Sequence, residues 1–422
     1  MSCPEFCRAL NYTSLLSLLI LTVTAFRLAL AWRQRRHVLA HRDQVPQRFA
    51  DRIRLEAHQR AADYTVAKSR LTTLNLLVEA ALALAFTVGG GIALLAGWAD
   101  ARVDNELLRG LALFALVAVI GGVIDLPFDL FRTFVLEQRF GFNRTTPAQW
   151  LKDHALGIGL GIAIGLPLAT AVLWMMDALG ARWWLWAWIA WMSFNVLMLA
   201  IYPTWIAPLF NRFTPLADAD LRRRIEALMQ QCGFHSSGLF VMDGSRRSAH
   251  GNAYFTGFGR TKRVVFFDTL LGSLKGEEIE AVLAHELGHF AARHVLQRIA
   301  LMFAASLIVL ALLGELGNSP TVRAAFAIPP GNASLLVFFS FALPYLLFPL
   351  QPLMSAWSRR HEFEADAYAA RHADAASLVS ALVKLYHDNA SSLTPDPWHS
   401  AIYDSHPPAL TRIGRLDRLT HA

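Results

Sequence analysis

The chain has 422 residues, of which 55% are hydrophobic and only 17% charged, with 27 Phe and 12 Trp. That balance excludes an ordinary soluble protein of two or three domains and points to a polytopic membrane protein. The net charge of +7 sits almost wholly in one juxtamembrane loop, which argues for membrane topology and against nucleic-acid binding.

Apolar runs long enough to cross a bilayer occur at about residues 11 to 31, 73 to 97, 109 to 130, 155 to 176, 183 to 206, 296 to 316 and 333 to 355, predicting seven spans. The first is read as a span rather than a secretory signal, because Met1 to Tyr12 carries little positive charge and Arg27 interrupts the apolar run with no small-residue cleavage site. Residues 31 to 70 carry ten Lys and Arg against four acids, and the stretch from Phe131 to His154 adds Arg132, Arg139, Arg144 and Lys152. By the positive-inside tendency these loops are cytoplasmic. The N-terminus is then outside, and both the segment from 207 to 295 and the tail after 356 are cytoplasmic. The domain organisation expected is a membrane domain over 1–206, a cytoplasmic part over 207–295, two further spans over 296–355 and a cytoplasmic C-terminal part over 356–422. Within the spans, Arg27, Glu79, Asp125 and Asp129 are costly at membrane depth; they either face a polar chamber or pair with one another.

The cytoplasmic segment begins with an amphipathic helix over residues 216 to 232, opened by Thr214-Pro215, with Leu221, Ile225 and Leu228 on one face and Gly233 as the stop. Three β-type runs follow at Gly238 to Asp243, Asn252 to Thr256 and Arg263 to Asp268. Turn composition separates them, at Gly244-Ser245-Arg246-Arg247 and Gly257-Phe258-Gly259-Arg260. Cys3, Cys7 and Cys232 make neither a disulfide framework nor a metal-ligand spacing.

Directly after this small sheet comes Ala284-His285-Glu286-Leu287-Gly288-His289. On a helix, residues four apart lie one above the other, so His285 and His289 can reach one zinc ion while Glu286 stands beside it as a base. Two histidines leave a catalytic zinc one protein ligand short. The run Arg360-His361-Glu362-Phe363-Glu364-Ala365-Asp366, after the last span, offers Glu362 and Asp366 at helical spacing, one to bind the metal and the other to orient a ligand histidine. His294, five residues past His289, falls on a different face of the helix, and His250 and His361 have no clear spacing role; all three read as structural. A sheet edge beside such a site could hold an extended peptide by main-chain hydrogen bonds.

Taken together, the chain resembles the integral-membrane zinc proteases of the CaaX prenyl protease type I family, the a-factor-converting type. The matching stretches are Ile201-Tyr202-Pro203, Pro208 to Leu216, Asn252 to Gly257, Phe267 to Leu270, His285 to His289, Arg360 to Ala367 and Ser405-His406-Pro407. The resemblance implies a mainly α-helical fold in which seven helices enclose an intramembrane chamber, capped by a cytoplasmic α+β zinc domain. It implies Glu362, in preference to Glu364, as the third zinc ligand, and Asp366 as the carboxylate behind the site. It also implies His406 as a donor to the tetrahedral intermediate, Arg412 as a supporting cation, and Asn252, Ala253 and Tyr254 as the substrate-binding edge. The alternative for Arg412 is a pair with Asp417 or with a phosphate.

The chemistry expected is peptide-bond hydrolysis with one zinc ion, Glu286 taking a proton from water and passing it to the leaving amine. The expected substrate is a peptide, or the C-terminus of a prenylated CaaX protein. An Arg- and Ala-rich composition with few Lys leans towards a bacterial inner membrane, where quality-control proteolysis without prenyl dependence is the alternative; in a eukaryote the endoplasmic reticulum would be expected. A transporter or channel would explain the buried acids, but neither Glu362 nor the small sheet.

Overall fold

The computed structural model describes residues 3–234, 237–256, 263–317 and 319–420. Seven helices in it are long and apolar enough to cross a membrane: Tyr12–Ala40, Leu55–Thr87, Glu106–Glu137, Pro147–Ala178, Gly180–Phe210, His294–Gly317 and Asn332–His372. The number and order agree with the sequence reading, but several ends do not. The second span was expected over 73 to 97, yet its helix begins at Leu55 and stops at Thr87, and Gly91–Asp100 forms a separate short helix. Hydropathy alone does not see this break. It comes from Gly89-Gly90-Gly91, where Gly90 takes a φ of +78° that other residues rarely adopt. The basic stretch 31 to 70 is likewise mostly helix, with the first and second spans projecting beyond the apolar region and only a short connection between them.

The membrane helices converge at one end and part at the other. A cluster of buried residues joins Leu16, Ile20, Phe86, Leu113, Leu173, Trp183, Leu313, Leu335 and Phe338, drawn from the same end of all seven spans. Away from that end, no residue of spans three, four and five is buried over 114–135, 147–172 or 188–206. In a close-packed bundle each helix would bury an inward stripe. Here spans three to five bury no such stripe over most of their length. The α+β domain closes the open end through its own core around Ile225, Val264, Phe266, Leu283, Leu287, Leu378 and Leu416. The in-span charges divide between the two expected arrangements. Arg27 pairs with Glu79 at 3.2 Å, and Asp129 accepts from Trp150 Nε1 at 2.8 Å. Asp125 is exposed with no partner among the described residues.

The domain's sheet has the order β1-β2-β4-β3, with β1 at Phe213–Pro215, β2 at Leu239–Met242, β3 at Ala253–Thr256 and β4 at Arg263–Phe267. β2 and β4 run parallel, while the two outer strands are antiparallel to their neighbours. Three strands were expected. The fourth, β1, takes up Thr214-Pro215, which was read as a helix start. The helix instead runs over Ala219–Gln231 and is capped by Asp218, whose side chain accepts from the Asp220 and Leu221 N–H groups. Leu221, Ile225 and Leu228 are buried as expected. Gly244–Arg246 is a 3₁₀ turn; the turn expected at Gly257-Phe258-Gly259-Arg260 lies outside the described residues.

Candidate metal centre

The helix Gly276–Ala291 carries His285, Glu286 and His289. Its start is held by Glu278, whose carboxylate accepts from the Lys275 N–H at 2.7 Å, from Lys384 Nζ at 2.7 Å and from Ser380 Oγ at 2.8 Å. Ile279, Leu283 and Leu287 bury its apolar face in the domain core. The helix Gln351–His372 continues directly from the seventh span through the turn Phe348–Leu350 and brings Glu362 alongside. Gly288 sets the distance between the two helices. A Cβ there would come within 2.9 Å of Ala365 Cα, so glycine lets the backbones approach and the side chains one turn on meet.

What meets is a donor set. Ligand atoms of His285, His289 and Glu362 lie within 4.8 Å of one another. The Nε2 atoms of His285 and His289 stand 3.5 and 3.4 Å from the Glu362 carboxylate oxygens. Glu362 is 3% exposed, and its Oε2 has no hydrogen bond among the described residues. A buried carboxylate oxygen left this way is costly without a cation. Burial alone would lower the His285 pKa, but Asp366 and Glu362 raise it to about 9, so the surroundings favour positive charge at this point. Two imidazoles and one carboxylate fit a catalytic zinc, which takes three protein ligands and keeps one position open.

The shell around these three is asymmetric. Asp366 Oδ1 lies 2.9 Å from His285 Nδ1, and Arg412 grips the same carboxylate from behind, Nε to Oδ2 at 2.9 Å and Nη2 to Oδ1 at 2.5 Å. Burial works against the Arg412 charge, yet Asp366 and Glu362 raise its pKa overall and it stays cationic. Arg412 is thus bound to the centre, while Asp417 pairs with Arg48 at 3.5 Å. His406 Nε2 stands 3.5 Å from Glu362 Oε2 with its side chain exposed, at the mouth of a 380 Å³ cavity that also contains Asn252, Ala253, His285, Glu286 and Arg412. Glu286 is half-buried there, and burial pushes its carboxyl above the usual range against the pull of His285 and His289.

β3 is an edge strand, and its free side has no partner strand among the described residues. Alternation along it puts Ala253 and Tyr254 on opposite faces, and Asn252 lies just before it. Asn252 and Ala253 line the cavity of His285 and Glu286. Tyr254 points elsewhere, its ring against Phe267 and beside Tyr202 and Pro203. A second, larger cavity of 770 Å³ opens between the fifth and sixth spans, lined by Met198, Leu199, Phe255, His289, Leu296 and Phe303 among others.

Two of the three histidines read as structural stay apart from the donors: His250 stacks on Phe142 and approaches Asn389 at 3.1 Å, and His361 stacks on His294 at 3.8 Å. His294 does not. Its Nδ1 is 3.0 Å from His289 Nδ1. Helical spacing could not reveal this, since five residues on a continuous helix turn a side chain about 140° away. The contact exists because the helix ends and Arg293, neither Gly nor Asn, takes a φ of +57°.

Comparison with known proteins agrees with this architecture. The family model described as CAAX prenyl protease N-terminal, five membrane helices, matches residues 34–212. That of peptidase family M48 matches residues 215–420. The CAAX prenyl protease 1 homolog of Arabidopsis thaliana is 38% identical over 74% of this chain and 74% of its own length. The Homo sapiens homolog is 30% identical over 94% and 93%. The crystal structure of S. mikatae Ste24p superposes with a TM-score of 0.89 at 29% identity, covering 96% of this chain and 99% of that one. The chain therefore belongs to the CAAX prenyl protease 1 family, and is a multi-pass membrane metalloprotease with an M48 peptidase domain.

Proposed function

We propose that the chain is a zinc endopeptidase that cleaves peptides at the membrane surface and processes the C-termini of prenylated CaaX proteins. The observation that carries the reading is the His285, His289 and Glu362 donor set, with His285 lining one cavity together with Glu286, His406 and the start of a free strand edge. A zinc ion held by those three residues supplies a Lewis acid that polarises the scissile carbonyl and lowers the pKa of water.

The chain's own groups do the rest. The β3 edge at Asn252 and Ala253 binds the peptide as an added strand and brings its carbonyl to the site. Glu286 takes a proton from the attacking water and delivers it to the leaving amine. His406 donates to the oxyanion, a contribution of about 3 kcal/mol for a single donor of this kind. Asp366 fixes the ring of His285 and Arg412 balances the charge of the carboxylates. Tyr254 shapes the strand from its far side.

The prenylated substrate is supported by the apolar 770 Å³ cavity between the fifth and sixth spans, which reaches His289 and the β3 residues Phe255 and Thr256 and is of a size typical for organic ligands. Orientation is supported by contacts of the protease domain with the basic segments: Arg33 pairs with Asp396 and Arg247 with Asp153. They support a protease domain on the positive, cytoplasmic side; the membrane is read from composition as a bacterial inner membrane, or as the endoplasmic reticulum in a eukaryote.

The test is cleavage of a fluorogenic peptide by purified protein, with and without a C-terminal farnesylcysteine, alongside Glu286→Gln. The variant is expected to keep its metal and lose turnover by roughly 10²- to 10⁴-fold. Cleavage that ignores the lipid in the wild type would replace the prenyl-processing role with general membrane endopeptidase activity.

A further inference from the structure

The two histidines of the donor set are anchored by different chemistry. His285 is backed by a carboxylate, Asp366. His289 Nδ1 faces no acid; it faces His294 Nδ1 at 3.0 Å. On the other side of the His294 ring, Nε2 lies 2.9 Å from Glu364 Oε2, and Arg360 Nε bonds the remaining Glu364 oxygen at 3.0 Å. His294 is 1% exposed and its ring lies flat on His361, with centroids 3.8 Å apart and an interplanar angle of 9°.

Resting on the ligand set proposed above, we infer that His294 and Glu364 form a positioning relay that fixes the tautomer and ring orientation of His289. The hydrogen bonds admit one self-consistent assignment. A ligand imidazole is neutral and offers a lone pair to the metal. His289 Nε2 is the nitrogen that faces Glu362 Oε1, at 3.4 Å, so the ring proton of His289 resides on Nδ1. That N–H donates to His294 Nδ1, which must then be the bare nitrogen of its ring. The His294 proton is on Nε2 and is donated to Glu364. Stacking on His361 prevents the ring from flipping out of register, and the positive φ of Arg293 brings His294 back over the preceding helix. His294 is a positioning residue; it touches no reacting atom. Glu364, set aside in favour of Glu362 as a ligand, acquires a role of its own as the far end of the relay.

The full-length protein in detergent tests this by zinc titration against a fluorescent chelator and by the visible absorption of the Co²⁺-substituted enzyme. Glu364→Ala, at a part-exposed position, carries the experiment, because His294→Ala empties a buried site and risks the fold. Glu364→Ala is expected to weaken Zn²⁺ binding by about 10- to 100-fold, as loss of an outer-shell partner does, and to alter the Co²⁺ bands. His294→Asn, whose side-chain oxygen accepts the same hydrogen bond from His289, is expected to bind zinc more tightly than His294→Ala. Wild-type zinc affinity and an unchanged Co²⁺ spectrum in Glu364→Ala would overturn the relay. A wild-type protein that binds no zinc, or a His285→Ala variant that binds it undiminished, would instead remove the ligand set itself.

Discussion

Asp366 serves two partners at once. It orients His285 and holds the Arg412 guanidinium, which is 5% exposed. Replacing it by Ala leaves the buried Arg412 with only Glu362, at 3.8 Å, as an ion-pair partner and His285 free to rotate. The expected outcome is a loss of about 3–5 kcal/mol of stability, as for breaking a buried pair, together with zinc binding weaker by about 10- to 100-fold; thermal unfolding and chelator competition measure the two separately. Glu278 shows the same economy away from the centre. Its burial favours the neutral acid, but Lys384, the Lys275 N–H and Ser380 hold the carboxyl below its ordinary 4.5. A carboxyl lowered by folding stabilises fully above pH 4.5, and this contribution disappears as pH falls below that value. The difference in apparent Tm between wild type and Glu278→Gln should therefore be largest near pH 7 and shrink steadily below pH 4.5. A gap that is independent of pH would show that the charge of Glu278 contributes nothing.

At the level of elements, the centre is a crossing of two helices, and Gly288 is where they touch. The Cβ of Gly288→Ala would meet backbone, Ala365 Cα at 2.9 Å and its carbonyl oxygen at 3.1 Å, rather than a movable side-chain tip. The helices must separate, and the donors with them. The expected result is a destabilisation of about 1–3 kcal/mol, the usual cost of overpacking, and a disproportionate fall in kcat, because the donors are displaced even in molecules that remain folded. Steady-state kinetics on the folded fraction checks it. Unchanged kcat would mean that the interhelical distance does not govern the site.

For the whole molecule, the protease domain is tied to the membrane helices by specific latches as well as by chain connectivity. Arg247 bonds Asp153 at 2.8 and 2.9 Å, Asn211 Oδ1 at 2.8 Å and the Phe210 carbonyl at 2.7 Å, and so joins the start of the fourth span to the end of the fifth. Arg247→Ala removes all of these at once. It is expected to lower the apparent Tm by several degrees and to raise protease sensitivity in the loop around residues 244–252, measured by limited proteolysis. An unaltered digestion pattern would show that the Arg247 side chain does not hold this loop in place.

How far the sequence reaches depends on the range of the interaction that decides each feature. Seven spans, the His285-Glu286-His289 face and the burial of Leu221, Ile225 and Leu228 follow from periodicity and apolar length, which are local and set by the solvent on either side of a helix. Turn chemistry is less legible: the break after Thr87 lies inside an apolar run, and β1 appears only because β2 is there to pair with it. The meeting of Glu362 with His285 and His289 depends on Gly288 allowing two helices from distant parts of the chain to touch. The recruitment of His294 depends on a backbone reversal at Arg293, which no residue preference announces. Composition and spacing by themselves determined that this is a membrane protein with a two-histidine motif awaiting a third donor. Spacing offered Glu362 and Asp366 as candidates and the resemblance added His406 and Arg412, but only the tertiary structure gathers them around that motif and adds His294, because helix crossings and buried ion pairs are selected by packing the whole chain against itself.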